Sequence, residues 1–475
     1  VESVTPKNLS PFWQTPATSA TPFSPKMCRG VGPMQAYPYK VEAGELLPIV
    51  TLRTLFPAAV CLCRAAPSLL AALVHGLWIV LLKCLRLDAL LGAADGPLVE
   101  FWHVDTETNR RLGQALKKDA AFNPTPYLCT GDVCTLAPFL LFGERKVRFV
   151  RSWISVANSP APDGPNGFKR SPNGVDDEAC ALDVSEVDQA NELFYLVLHG
   201  LNGGSGEPFI QDFVSDVNAR GSSCAVLIAR GLMGTNVRGA ELFNGARTSD
   251  VAAAVKHVSQ AFPGKAIVLV GFSMGAIIAA NYVTKAGDAS GVLGCVAISG
   301  TMCGKTILGP AGARSRRLWQ PMLSFSLKQT FVAPNAAKLK ARNVPLEPIL
   351  QSSTVDGFDT TLVCAYHGYK DVEAYYEDMA AAGAGDLKGL SRLKNLAVPL
   401  LVLHAKDDPI TPFEACLAPL VSKASEHVFV CATRVGGHVG WPQGDAPGDH
   451  RWKFSTDVVL AFANTVAQKN VAQKR

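Results

Sequence analysis

The sequence predicts an α/β protein with one mostly parallel, eight-stranded sheet and helices on both of its faces. From residue 193 onward, short apolar runs rich in β-branched residues alternate with longer amphipathic segments, which is the pattern of parallel strands joined by helices. One run, residues 267–270, leads directly into the motif G-F-S-M-G at 271–275 and then into a helix of small and branched residues. We therefore expect a sheet whose fifth strand ends at Ser273.

Each predicted strand is an apolar run of strand length, and the first shows the polar–apolar alternation of an edge strand. The strands are placed at residues 146–156, 180–184, 193–198, 224–229, 266–270, 292–299, 398–404 and 427–431. The first two form an opening hairpin around a loop rich in Pro, Gly and Asn at 159–177.

The predicted helices follow from apolar residues spaced three and four positions apart. Residues 208–220 and 249–262 each place such residues on one face. A third helix follows the serine motif and closes at Gly287, and the last is expected at 456–467.

Residues 301–395 interrupt the alternation between the sixth and seventh predicted strands. Their pattern is mainly helical, and they carry many aromatic residues. An insertion at this point favours a lid over the serine, and extra helices packed on the sheet are the alternative.

The N-terminal part is predicted to anchor the chain in an endoplasmic reticulum or organellar membrane. Residues 1–53 form a tail rich in Pro, Ser and Thr, and residues 54–92 form an apolar anchor region. Within that region, residues 65–82 carry no charge and are just long enough to cross a hydrocarbon core of ~30 Å at 1.5 Å per residue. The alternative is a re-entrant or interfacial helix. Residues 98–475 are expected to form the catalytic domain.

Composition excludes several classes of function. The formal net charge is +5, but the basic residues are scattered, so we expect no nucleic-acid partner. The 13 cysteines lack a second pair at zinc-site spacing, so no metal is expected. Residues 300–306 resemble a phosphate-binding loop but are one residue short of it. We expect no cofactor.

The motif at 271–275 has the form of a nucleophile elbow, in which a serine sits on a sharp turn between a strand and a helix. Glycine is required at 271 and 275 because a side chain at either position would collide with the neighbouring strand or helix. Ser273 is therefore the predicted nucleophile.

A serine hydroxyl is a weak nucleophile that needs a base, and the base needs a carboxylate to orient it. His438 lies among glycines after the last predicted strand and is the predicted base. Two acids, Asp407 and Asp408, follow the strand before it. We favour Asp408 because of its spacing from Pro412, with Asp407 as the turn-forming residue.

Two backbone N–H groups are expected to stabilise the oxyanion of the reaction. One belongs to Met274, which follows the nucleophile. The other belongs to Leu201, in the sequence HGLNGGSG at 199–206 after the third predicted strand.

Further motifs extend from about residue 120 to 442 in a fixed order. They are NPTPY at 123–127, HGLNGGSG at 199–206, ARGLMG at 229–234, LFNGARTSD at 242–250, GFSMG at 271–275, FD at 358–359, GYKDVEAYY at 368–376, AKDDPITP at 405–412 and GGHVGW at 436–441. In these motifs the sequence resembles the membrane-anchored α/β-hydrolase-domain lipases, which act on acylglycerols and phospholipids and include yeast ethyl-ester synthases and bacterial esterase-like members. The resemblance implies the α/β-hydrolase fold and an N-terminal membrane span.

The sequence therefore predicts a serine hydrolase that cleaves carboxylic esters of lipids through an acyl-enzyme, with a triad of Ser273, Asp408 and His438. Two alternatives stay open. If an alcohol replaces water, the same triad gives an acyltransferase or ester synthase. A non-catalytic scaffold or ligand-binding subunit of a membrane complex is the alternative of another class.

Overall fold

The computed structural model describes residues 97–128, 130–156, 179–188, 191–235, 237, 239 and 241–474, and the isolated positions 70, 74 and 77. The predicted N-terminal tail, nearly all of the anchor region and the Pro/Gly-rich loop at 159–177 lie outside these residues. Of the predicted membrane span, Leu70, Val74 and Leu77 are described, and these three are helical and exposed. Across the described residues, no helix has both the length and the apolar composition needed to cross a bilayer.

One sheet organises the described part of the chain. Its strands are β1 (Val99–His103), β2 (Val150–Ser155), β3 (Ala179–Ser185), β4 (Leu193–Leu198), β5 (Ser223–Ile228), β6 (Ala266–Phe272), β7 (Gly294–Ile298), β8 (Leu400–Ala405) and β9 (Val428–Thr433). They lie in the order β1-β9-β8-β7-β6-β4-β5-β3-β2. Strands β4 to β9 are parallel to one another, whereas β1 and β3 pair antiparallel with them, and β2 pairs antiparallel with β3.

The prediction of a mostly parallel α/β sheet is confirmed, but the predicted number of eight strands is wrong. The ninth strand is β1, whose residue Phe101 pairs with Cys431 on β9. This strand has five residues, all of them half-buried, so it lacks the apolar run that marks the other strands. Its partner is remote in the sequence, and no local signal indicates the pairing.

Helices cover both faces of the sheet. The helices outside the insertion are α1 (Glu107–Asp119), α2 (Gly131–Leu141), α3 (Pro208–Ala219), α4 (Ser249–Ala261), α5 (Met274–Ala286), and near the C-terminus α15 (Ala418–Ala424), α16 (Pro447–His450) and α17 (Lys453–Lys474). The helices α1, α3 and α17 contribute to the hydrophobic core on one face. The helices α4, α5 and α15 contribute to the core on the other face. The last helix is longer at both ends than the predicted 456–467.

Between β7 and β8 the chain forms a series of short helices, as the sequence predicts for residues 301–395. They are α6 (Gly304–Leu308), α7 (Ala313–Leu318), α8 (Gln320–Leu327), α9 (Ala333–Ala341), α10 (Leu346–Gln351), α11 (Val355–Phe358), α12 (Ala365–His367), α13 (Val372–Met379) and α14 (Leu387–Ser391), with π-helical turns at Lys328–Val332 and Asp359–Cys364. Buried side chains such as Phe331 and Leu362 join this insertion to Leu232 and Leu242 in one apolar cluster. Its action as a lid stays a prediction.

Candidate active site

Ser273 lies at a sharp turn between β6 and α5. Its backbone adopts φ 54° and ψ −117°, a conformation that is costly for a residue with a side chain and is typical of strained functional turns. A Cβ added to Gly271 would lie 2.3 Å from the carbonyl oxygen of Gly275, and one added to Gly275 would lie 2.3 Å from that of Leu198. The two glycines therefore allow the turn to form, as the sequence indicates.

A continuous chain of hydrogen bonds joins three of the predicted site residues. Nε2 of His438 lies 2.8 Å from Oγ of Ser273, and Nδ1 of His438 lies 2.8 Å from Oδ2 of Asp408. The carboxylate of Asp408 is fully buried, whereas the histidine ring is slightly exposed. The structure thus places an acid, a base and a hydroxyl in the order that nucleophilic catalysis by serine requires.

The surroundings of Asp408 favour its charged form. Burial alone would raise the pKa of this carboxyl, but the charge and hydrogen bond of His438 lower the pKa below its usual value. The backbone N–H groups of Ile410 and Thr411 each donate to Oδ1 at 2.9 Å, and the hydroxyl of Thr411 donates to Oδ2 at 2.9 Å. A negatively charged Asp408 can therefore fix the orientation of the imidazole.

The neighbouring acid, Asp407, faces the backbone of the loop that carries His438, and not the histidine ring. Its Oδ1 accepts the backbone N–H of Gly437 at 2.9 Å, and its Oδ2 is buried without a hydrogen-bond partner. Burial raises the pKa of Asp407 to about 6. The structure brings Asp408, and not Asp407, to the histidine ring. This is the arrangement that the sequence favoured.

A second histidine, His404, lies close to the same carboxylate. Its Nε2 is 3.8 Å from Oδ2 of Asp408 and 2.9 Å from the carbonyl oxygen of Thr411. The ring is completely buried, and burial lowers the pKa of His404, which favours a neutral ring that braces the turn after β8. Thr411 contacts His404, His438 and Asp408. Apart from its place in AKDDPITP, nothing in the sequence marks Thr411 as part of the site.

Leu201 and Met274, the predicted oxyanion donors, lie beside the serine and line the same cavity. Residues 199–206 form a glycine-rich loop after β4, and a Cβ added to Gly200 would lie 3.4 Å from Cβ of Ser273. That distance is an ordinary van der Waals contact, so the backbone of the loop lies directly beside the serine. The role of the two N–H groups as oxyanion donors stays a prediction.

The cavity that these residues line is mainly apolar and has a volume of about 810 Å³, including the part that is open to solvent. The insertion supplies part of its wall through Leu327, Phe331, Phe358 and Leu362. A buried ion pair also lines the cavity, in which Nη2 of Arg230 lies 2.7 Å from Oδ1 of Asp250. The cavity adjoins Ser273 through Gly200 and Met274, which are among its lining residues.

No group of three or more His, Cys, Asp or Glu side chains within the described ranges is arranged to hold a metal ion. Eight cysteines in those ranges are buried. Burial raises the pKa of several of them, including Cys364 and Cys416, to about 12, so these thiols are not suited to act as nucleophiles.

Comparison with known proteins places this arrangement in context. The model of the alpha/beta hydrolase family matches residues 195–449. A monoacylglycerol lipase of Saccharomyces cerevisiae is 26% identical over 254 residues, which cover 52% of this chain and 54% of the lipase. Phospholipase ABHD3 of Mus musculus is 26% identical over 268 residues, covering 55% of this chain and 61% of the phospholipase. Monoacylglycerol lipase ABHD2 of Danio rerio is 22% identical over 331 residues, covering 66% of this chain and 75% of that lipase. This chain thus spans less than two thirds of the yeast and mouse relatives.

Proposed function

Because this chain belongs to the alpha/beta hydrolase family, we propose that it hydrolyses carboxylic esters with Ser273 as nucleophile, His438 as general base and acid, and Asp408 as the orienting carboxylate. The observation that carries this proposal is the pair of 2.8 Å contacts that link the three side chains. They lie at the carboxyl edge of the parallel strands, where α/β sheets bind their ligands.

In the first half of the reaction, Oγ of Ser273 attacks the ester carbonyl carbon while its proton passes to Nε2 of His438. The bond to the alcohol oxygen then breaks, and His438 returns the proton to the leaving alcohol. Asp408 holds the ring through Nδ1 and stabilises the imidazolium. The N–H groups of Leu201 and Met274 donate to the oxyanion, and the loss of one such donor typically costs about 3–4 kcal/mol.

In the second half, water attacks the acyl-serine and gives a proton to Nε2 of His438. The bond between the acyl carbon and Oγ of Ser273 then breaks, the serine regains its proton, and the carboxylic acid leaves. If an alcohol takes the place of water, the product is a new ester.

We propose lipid esters as the substrate class. Two observations support this proposal: the apolar cavity beside Ser273 can hold an acyl chain, and the yeast and mouse relatives are named as a monoacylglycerol lipase and a phospholipase.

The test compares wild type with Ser273→Ala and with Ser222→Ala, a control at another buried serine. We expect Ser273→Ala to lose about 10⁶-fold in kcat and to lose labelling by a fluorophosphonate probe, while the control keeps both. Activity of Ser273→Ala within tenfold of wild type would contradict the assignment. Assays with panels of acylglycerols and phospholipids, with and without added alcohol, measure how much of the acyl group is transferred to the alcohol and not to water. A wild-type protein that is neither labelled by the probe nor active would indicate a non-catalytic scaffold.

We also propose that residues 65–82 hold the protein on a bilayer and that residues 301–395 face the lipid as a lid. A fixed enzyme meets water-insoluble esters at a high effective concentration. The wild-type protein is expected to stay in the membrane pellet after a wash with alkaline carbonate. A variant with Leu73→Arg and Val74→Arg is expected to wash off, because both positions lie at the centre of the predicted span, where each charge costs about 2.5–3.5 kcal/mol. Release of the wild type would contradict the anchor.

A further inference from the structure

The loop that carries His438, residues 436–441, is held by its backbone. Three successive N–H groups each donate to a side-chain oxygen of a different element. These bonds are Gly437 N–H to Oδ1 of Asp407 at 2.9 Å, His438 N–H to Oγ1 of Thr135 at 2.8 Å, and Val439 N–H to Oγ of Ser299 at 3.0 Å. The three side chains come from the turn after β8, from α2 and from the end of β7.

The backbone of this histidine loop adopts conformations that need outside support. Residues with φ in the left-handed region are Gly437 at 65°, Val439 at 56° and Trp441 at 48°. A β-branched residue such as valine is a clear outlier there, and such conformations persist only where the surroundings fix them. The loop also lies tightly against α2, because a Cβ added to Gly437 would lie 2.5 Å from the carbonyl oxygen of Gly131.

The acceptors are themselves fixed. The hydroxyl of Thr135 donates to the carbonyl oxygen of Gly131 at 2.6 Å, one turn earlier in α2. Ser299 is completely buried, and its carbonyl oxygen lies 3.0 Å from Oγ1 of Thr411. Thr411 in turn contacts Oδ2 of Asp408. One rigid network therefore connects the histidine backbone with the carboxylate that binds its ring.

We infer that Thr135, Ser299 and Asp407 are positioning residues for the reaction proposed above, on which this inference rests. They act through the backbone N–H groups of Gly437, His438 and Val439. The imidazole must meet Oγ of Ser273 and Oδ2 of Asp408 at 2.8 Å at the same time. A small rotation of the loop lengthens at least one of these bonds, and misplacement by about 1 Å can cost about 100-fold in rate.

The first test replaces Thr135 by valine, which keeps the shape and removes the hydroxyl. Thr284→Val is the matched control, because Thr284 is also buried in a helix and also donates to the carbonyl oxygen one turn earlier. With full-length protein and a soluble short-chain ester, we expect Thr135→Val to lose about 10- to 100-fold in kcat with KM within about threefold. The control should stay within about twofold of wild type.

The second test compares two substitutions of Asp407, which accepts the backbone N–H of Gly437. Asp407→Ala removes the acceptor for Gly437 N–H and should lower kcat about tenfold, whereas Asp407→Asn keeps an acceptor and should recover most of that loss. Ser299→Ala is expected to resemble Asp407→Ala. Thermal unfolding of each variant shows whether the protein remains folded.

Equal kcat values in Thr135→Val and Thr284→Val, or equal losses in Asp407→Asn and Asp407→Ala, would overturn the inference. A rise in KM with an unchanged kcat would also overturn the inference, because a positioning residue acts on the chemical step, which determines kcat. Failure of the proposed function is distinguishable, because Ser273→Ala would then keep activity. If Ser273→Ala is inactive while Thr135→Val, Asp407→Ala and Ser299→Ala are fully active, only the positioning role is contradicted.

Discussion

Two loops meet at Ser273, and they differ in which groups supply most of the bonds that hold them. The glycine-rich loop (199–206) is anchored by its own side chains: the hydroxyl of Ser205 donates to Oδ2 of Asp183 at 2.5 Å, and the amide of Asn202 donates to the carbonyl oxygen of Leu323 at 3.1 Å. One bond to the glycine-rich loop comes from outside it, from Nε2 of Gln211 to the carbonyl oxygen of Ser205. In the histidine loop (436–441), three successive backbone N–H groups donate to side chains of other elements, and the indole of its own Trp441 donates to Oγ1 of Thr433 at 2.8 Å. The side chains Asn202 and Ser205 that anchor the first loop can therefore be read within its own sequence, whereas the acceptors of the three N–H groups of the second loop cannot.

The two loops also depend on different parts of the molecule. The glycine-rich loop contacts the strand β3 on one side and the helical insertion, through α8, on the other. The histidine loop contacts α2, which precedes the region matched by the family model. Changes in the insertion are thus expected to reach the oxyanion side of the site first, and changes in the N-terminal helices to reach the base.

The largest expected effect separates the two acids next to the histidine loop. Asp408→Asn should lower kcat by about 10⁴-fold, because the amide no longer holds the required tautomer of His438. Asp407→Asn should cost far less, because the carboxylate of Asp407 accepts the backbone N–H of Gly437, whereas Asp408 bonds to the histidine ring. Steady-state kinetics of the two variants at pH 7.5 gives the comparison. The reverse ranking would show that the acids have been assigned the wrong way round.

A second prediction breaks the anchor of the glycine-rich loop. Ser205→Ala removes the hydrogen bond to Asp183 and should lower kcat by about tenfold, less than the full loss of an oxyanion donor. Ser185→Ala is the control, because Ser185 is equally buried, with 5% exposure, and bonds instead to Asn218. A pre-steady-state measurement of acylation checks the step affected. Equal acylation rates in Ser205→Ala and Ser185→Ala would show that the bond from Ser205 to Asp183 does not support catalysis.

A third prediction addresses the contact between this loop and the insertion. Asn202 has φ 66°, so Asn202→Gly removes the bond to Leu323 without adding backbone strain. We expect a loss of about two- to fivefold in kcat/KM for long-chain esters and almost none for short ones, because the insertion lines the apolar cavity. Uniform losses at all chain lengths would show that the contact does not reach the cavity.

The last prediction concerns stability. The pKa of Asp407 is raised in the folded state, from 3.8 to about 6, so the folded state binds its proton more tightly than the unfolded chain does. The stability that this group contributes is fully present below pH 3.8 and is lost as pH rises through about 6. Asp407→Asn does not titrate and should gain about 1–3 kcal/mol relative to wild type between pH 4 and 7.5. Urea unfolding at both pH values measures this, and a constant difference would contradict it.

The same contrast explains how much of the site the sequence reveals. Ser273 is marked by adjacent glycines and a strand, and Asp408 and His438 follow recognisable strands, so local pattern was enough to find them. Thr135 lies 303 residues from His438, and Ser299 lies 140 residues from Val439. No periodicity joins positions so far apart, and a lone buried hydroxyl looks the same whether or not it supports a catalytic loop.

The pairing of β1 with β9 also joins residues that are remote in the sequence, so local pattern does not predict it. The same separation delays the pairing during synthesis. Phe101 pairs with Cys431, which a ribosome adds 330 residues later. At about 5–20 residues per second, translation leaves this strand without its neighbour for roughly 16 to 66 s. During that interval its backbone and the rings of Phe101 and Trp102 are open to other strands and to chaperones. Among the strands of the described sheet, the one made first is therefore the one that waits longest for its partner.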